Sequence, residues 1–161
     1  LRDFAERHLA SVFTGIHILP FFPFTSDDGF AITDYRAVNN QLGTWEDVGR
    51  IASQFRLMSD PVLNHCSSQS PMFSDYLQGH EPWDRFFYEA DPDADLSEVV
   101  RPRIHPLLRE VETANGTRHV WCTFSHDQVD FDFSNPRALM ARDRRRAAAR
   151  AGGAAAIVGR H

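Results

Sequence analysis

Leu1, Phe4, Ala5, His8, Leu9 and Val12 fall on one side of a 3.6-residue repeat, so the spacing predicts an amphipathic helix that ends by Gly15. Ile16-His17-Ile18-Leu19-Pro20-Phe21-Phe22-Pro23 is then a short apolar run bounded by prolines, the pattern of a buried strand. A polar loop, Thr25-Ser26-Asp27-Asp28-Gly29-Phe30, follows where the mouth of that strand would be. Thr44-Trp45-Glu46-Asp47 reads as a helix start, with Thr44 as N-cap and two acidic residues at the positive end of the helix dipole. Val48, Ile51, Ala52 and Phe55 continue on one face of that helix. Arg56 to Leu63 is a second apolar run, and it ends in an Asp-x-Val-x-Asn-His cluster, Asp60 to His65. Strand, helix and strand within about 45 residues make a βαβ unit, so the two strands should be parallel.

From Cys66 the periodicity changes. Ser70-Pro71 opens a short helix that buries Met72, Phe73, Tyr76 and Leu77 and stops at Gly79. Prolines, aromatics and the acidic run Asp91-Pro92-Asp93-Ala94-Asp95 follow, then a hairpin strand from Arg118 to Thr123 with Asn115-Gly116 as its turn. Gln128 to Phe133 alternates, and Ser134-Asn135-Pro136 is another helix start. Four stretches result: a βαβ unit over 1–65, an inserted irregular domain over 66–129, a return toward the first unit over 130–140, and an Ala/Arg/Gly-rich tail over 141–161.

Composition sharpens this division. All seventeen basic residues are Arg. Through Met140, 11 Arg stand against 21 Asp and Glu; from Ala141 on, 6 Arg stand against one Asp. The acidic body argues against a nucleic-acid partner. The basic tail is either an arm or a segment not native to the domain, such as the product of a shifted reading frame. No run is apolar enough to span a membrane, and the cytoplasm is the expected location. Cys66 and Cys122 have no metal-ligand spacing and are expected to be buried thiols. At 161 residues the chain cannot hold a complete (β/α)₈ barrel, which needs about 250.

Candidate chemistry lies at the strand ends, where α/β barrels place theirs. An ionised Asp only accepts hydrogen bonds, so the 25–30 loop offers a carboxylate suited to two neighbouring sugar hydroxyls; a plain Asx turn is the alternative. Beyond these local patterns, Leu19 to Pro23, Ser26 to Phe30, Asp34-Tyr35, Leu42 to Trp45, Asp60 to Ser70 and Val120 to Asp130 together resemble the sucrose phosphorylase branch of the α-amylase family. Arg101-Pro102-Arg103 and Pro106-Leu107-Leu108 are more similar to its glucosylglycerate and sucrose-6-phosphate phosphorylases.

That resemblance implies strands two and three of a (β/α)₈ TIM barrel, interrupted by a B-type domain. It also implies a retaining double displacement that moves an α-glucosyl group to inorganic phosphate, with no cofactor. By the same resemblance Asp27 would hold the glucose through its hydroxyls and His65 would donate from the other side. Phe30 and Phe124 would be apolar walls, and Gln128 a contact near the acceptor. Asp60 and Asn64 would fix the loop that carries His65. The family's nucleophile lies in an Arg-x-Asp-Ala motif, which does not occur here, so no catalytic residue is expected within this chain. A hydrolase or transglucosidase of the same family, and a truncated, non-catalytic gene product with residual sugar binding, remain open alternatives.

Overall fold

The computed structural model describes residues 1–60, 62–100, 103–141 and 156–157. The first helix, α1 (Arg2–His8), is shorter than its apolar spacing predicts. Val12, Phe13 and Thr14 favour extended backbone over helix, and the chain unwinds before reaching them. Ala5 is fully buried, while Leu1, Phe4 and Val12 remain exposed.

Strands β1 (Gly15–Ile18) and β2 (Arg56–Ser59) pair in parallel, from Gly15 opposite Arg56 to Ile18 opposite Ser59. Both are shorter than the apolar runs that contain them. Pro20 and Pro23 have no amide hydrogen to give a ladder, so pairing stops and the chain turns inward. Phe21 and Phe22 are thereby buried, with ring centroids 5.6 and 6.2 Å from that of Trp45. Trp45 opens α2 (Trp45–Ala52). The Thr44 hydroxyl accepts from the Asp47 amide, and the Asp47 carboxylate accepts from the Thr44 amide. This capping box starts the helix where the sequence predicts. Val48, Ile51 and Phe55 then pack into the core with Leu57 of β2.

Strand β3 (His65–Ser67) pairs antiparallel with β6 (Gln128–Asp130), so the two ends of the long intervening segment lie side by side. Within that segment, Ser70 caps α3 (Pro71–Leu77) by accepting from the Phe73 amide. Phe73 and Tyr76 from α3 join Phe87 and Phe131 in a ring cluster with centroids 5.0 to 5.4 Å apart. Strands β4 (Leu108–Thr113) and β5 (Gly116–Trp121) form the hairpin. Its turn sits at Ala114-Asn115, and Gly116 closes it with φ 94°, so β5 starts two residues before the predicted strand. One buried cluster runs from Ala5 through Leu57, Cys66 and Phe73 to Val129 and Ala138, and joins the βαβ unit to the rest. A helix begins at 136, where the Asn135 side chain accepts from the Arg137 amide.

The tail departs from expectation at one place. Strand β7 (Ala156–Ile157) lies parallel to β2, with Met58 opposite Ala156 and Ser59 opposite Ile157. The edge of β2 away from β1 carries unpaired backbone groups, and any extended segment can satisfy them. Residues 142–155 and 158–161 of the tail, like Pro61, Arg101 and Pro102, lie outside the described residues. Among the described residues, no helix is long and apolar enough to cross a membrane.

Candidate active site

Three consecutive residues in the left-handed region shape the loop after β1: Asp27 (φ 56°), Asp28 (φ 50°) and Gly29 (φ 105°). A Cβ at Gly29 would come within 2.9 Å of the Pro20 carbonyl oxygen, so the close return of the loop requires glycine there. The fold turns the Asp27 carboxylate toward β6, where its Oδ2 accepts from Gln128 Nε2 at 2.9 Å. Asp27 is thus not spent on neighbouring amides as in an ordinary Asx turn.

Asp127 anchors this loop. Its carboxylate accepts from the hydroxyls of Thr25 (2.6 Å), Ser26 (2.5 Å), Ser67 (3.1 Å) and Ser68 (2.8 Å). Its own carbonyl accepts from the Ser68 amide at 2.7 Å. Burial opposes ionisation of Asp127, but the four hydroxyl bonds outweigh it and hold the carboxyl below the usual range.

The loop that carries His65 contains Val62 at φ 41°, a strained conformation for a β-branched residue. The Tyr35 hydroxyl, buried beneath it, faces the carbonyl oxygens of Val62 (3.1 Å) and His65 (2.5 Å). The resemblance leads one to expect Asp60 and Asn64 to fix this loop. Carboxylates only accept, so Asp60 cannot satisfy loop carbonyls, whereas a hydroxyl can donate to them. Asp60 is instead buried, with Oδ2 3.6 Å from His17 Nε2 and, among the described residues, without a hydrogen-bond partner at that oxygen. Asn64 is exposed, and it holds the structure through its backbone carbonyl, which accepts from the Phe131 amide.

All seven residues singled out from the sequence line one pocket of about 240 Å³: Asp27, Phe30, Asp60, Asn64, His65, Phe124 and Gln128. Asp28, Val62, Leu63 and Arg103 complete its wall. The Phe124 and His65 rings are 5.2 Å apart. His65 Nε2 lies 3.1 Å from the Phe30 carbonyl oxygen and 3.2 Å from Gln128 Nε2. Burial pushes the imidazole down to about 4, against the opposing pull of the Phe30 carbonyl and Asp27. Two buried acceptors on this wall, Asp60 Oδ2 and Gln128 Oε1, have no hydrogen-bond partner among the described residues. A carboxylate, an imidazole and an amide beside aromatic side chains form a surface for a polyhydroxylated ring. Among the described residues, Arg103 is the one guanidinium on a wall otherwise rich in carboxylates. Among the described residues, no group of three His, Cys, Asp or Glu could hold a metal ion.

Three contributors escape a linear reading. Asp127 and Asp130 appear in the sequence only as parts of a polar run, and Tyr35 only as part of a motif. The hydroxyl pairs Thr25-Ser26 and Ser67-Ser68 are the one visible sign that a shared acceptor is needed.

Residues 11–141 match the family model for the alpha amylase catalytic domain. The chain is 52% identical over 140 residues to a glucosylglycerate phosphorylase of Spirochaeta thermophila, covering 87% of this chain and 24% of that protein. It is 34% identical over 143 residues to a sucrose phosphorylase of Streptococcus mutans, covering 82% and 30%. Among solved structures, sucrose 6F-phosphate phosphorylase from Thermoanaerobacter thermosaccharolyticum aligns over 96% of this chain and 35% of that one, with TM-score 0.85 and 26% identity. The chain therefore spans 24% to 35% of the length of these relatives. The likeness places it in the (β/α)₈-barrel fold, of which it carries a part. With the family model covering most of the sequence, the chain belongs to the α-amylase catalytic-domain family.

Proposed function

We propose that these residues form the sugar-holding side of the active site of a retaining α-glucoside phosphorylase. In this reading the enzyme passes a glucosyl group from a donor such as glucosylglycerate to inorganic phosphate. The observation that carries it is the single pocket in which Asp27, His65 and Gln128 converge between Phe30 and Phe124. Asp27 would exchange its bond from Gln128 for two vicinal sugar hydroxyls. His65 would meet a further hydroxyl through Nε2, and the two phenyl rings would flank the ring and its oxocarbenium-like transition state.

Retention requires two carboxylates about 5–5.5 Å apart across the scissile bond, one as nucleophile and one as acid/base. We assign both to the part of the relatives that this chain does not match, since no Arg-x-Asp-Ala occurs in the sequence. These residues then supply binding and orientation rather than covalent chemistry. Arg103 offers a charge for an anionic reactant, either phosphate or the carboxylate of a glycerate unit. We further assign 1–65 to the barrel, 66–129 to a domain inserted into it, and 130–140 to the return. The phosphorylase requires no cofactor, and the buried thiols of Cys66 and Cys122 suit a cytoplasmic setting.

A hybrid tests this reading. Residues 1–141 of this chain replace the matching stretch of the 52%-identical relative, and glucose 1-phosphate release from glucosylglycerate is assayed with phosphate. Phosphate-dependent release is expected. A folded hybrid that hydrolyses the donor to free glucose irrespective of phosphate would overturn the phosphorylase reading.

A further inference from the structure

Behind His65 lies a second buried carboxylate, outside the pocket. His65 and Asp130 are cross-strand partners in the β3–β6 pair, and His65 Nδ1 lies 3.9 Å from Asp130 Oδ1. Neither atom has a hydrogen-bond partner among the described residues, and both are buried. The other oxygen, Asp130 Oδ2, accepts from the Thr123 amide at 3.3 Å and from the Thr123 hydroxyl. That hydroxyl is itself held by Trp121 Nε1 at 3.1 Å.

The far side of the ring constrains the proton. Gln128 must present its NH₂ to Asp27 Oδ2, because a carboxylate only accepts. The same nitrogen lies 3.2 Å from His65 Nε2, and an amide nitrogen only donates, so Nε2 is the natural acceptor. In a neutral ring the proton then sits on Nδ1, facing Asp130. The opposite tautomer would donate from Nε2 to the Phe30 carbonyl at 3.1 Å. It would gain that one bond, set an N–H against the Gln128 N–H, and leave a ring lone pair facing a carboxylate. The Nδ1–H form takes the Gln128 bond at Nε2 and, given a side-chain rotation that closes 3.9 Å to about 2.9 Å, one to Asp130; its cost is the Phe30 carbonyl facing the Nε2 lone pair.

We propose that Asp130 is a positioning residue of the pocket: it accepts the Nδ1–H of His65 and so holds Nε2 as a hydrogen-bond acceptor facing the sugar. A chain of bonds then runs from Thr123 through Asp130, His65 and Gln128 to Asp27. This deepens the sugar-site reading and reverses one expectation drawn from the family resemblance, in which His65 donates. Replacing Asp130 by Asn should invert the ring. The Thr123 N–H needs an acceptor, so the amide oxygen of Asn takes that side and its NH₂ faces Nδ1. The proton is thereby driven to Nε2, the same inversion that an Asn causes at the buried Asp of a serine protease triad.

The test is nitrogen-edited NMR of the imidazoles of the labelled 161-residue chain, with His65 identified among the eight histidines by its loss in His65→Gln. Recorded near pH 8, it reads the state in which Asp130, pushed up by burial to about 6, is ionised. We expect the Nδ1–H form of His65 in roughly tenfold excess or more in the native chain, and the Nε2–H form in Asp130→Asn. An Nε2–H His65 in the native chain, or the same tautomer in both, overturns the proposal. The native spectrum decides alone should Asp130→Asn fail to fold. No sugar is present, so the tautomer and the sugar-site reading stand or fall separately.

Discussion

Asp127→Ala should unlatch the loop that carries Asp27. The Asp127 carboxylate accepts four hydroxyl bonds that join the 25–26 segment, the end of β3 and the start of β6. A net hydrogen bond contributes about 0.5–1.5 kcal/mol, and bonds to a fully buried charge about twice that. Asp127 is only partly buried and water can resolvate the freed hydroxyls, so we take about 0.5–1 kcal/mol for each bond. Four such bonds give a loss of about 2–4 kcal/mol in urea or thermal unfolding near neutral pH. The pH dependence follows from linkage. The carboxyl is held below its ordinary value, so its stabilisation is fully present above about pH 4 and is lost as pH falls through the lowered folded value. The gap between native chain and Asp127→Ala should therefore be constant from neutral pH to about pH 4 and narrow below it, by the part that depends on ionisation. A loss below about 0.5 kcal/mol, or a gap that does not narrow in acid, would refute the latch.

Three further substitutions discriminate among the site residues. In the hybrid enzyme, Asp27→Ala should lower kcat/KM by about one to two orders of magnitude and Asp28→Ala far less, since Asp27 is the carboxylate bonded to Gln128; equal losses would mean the wrong assignment. Tyr35→Phe should cost about 1–1.5 kcal/mol of stability in unfolding and weaken donor binding, because the Val62 and His65 carbonyls lose their donor; unchanged stability would show that the loop is held otherwise.

What could be read along the chain follows from the range of each interaction. The capping box at Thr44–Asp47, the cap at Ser70 and the turn at Gly116 are local, and the structure places them within a residue or two of expectation. The parallel β1–β2 pair follows from two apolar runs joined by one amphipathic helix. Apart from Asp27, whose loop stands out locally, the pocket residues follow from the family resemblance and from no local pattern. Asp130 was not legible in this way: its facing of His65 depends on the antiparallel register of two strands about sixty residues apart, which no local pattern encodes. Asp127 is similar, with hydroxyl partners drawn from two distant segments. The helix at the start was overread because apolar periodicity at Leu1, Phe4 and Val12 does not reveal whether anything covers that face.

The central claim, that this pocket holds a glucosyl ring between Phe30 and Phe124, is tested most directly by a crystal structure of the hybrid with bound D-glucose. The account predicts the sugar between the two phenyl rings, with two vicinal hydroxyls on the Asp27 carboxylate and a third hydroxyl on His65 Nε2. Glucose bound elsewhere, with Asp27 still bonded only to Gln128, would contradict it.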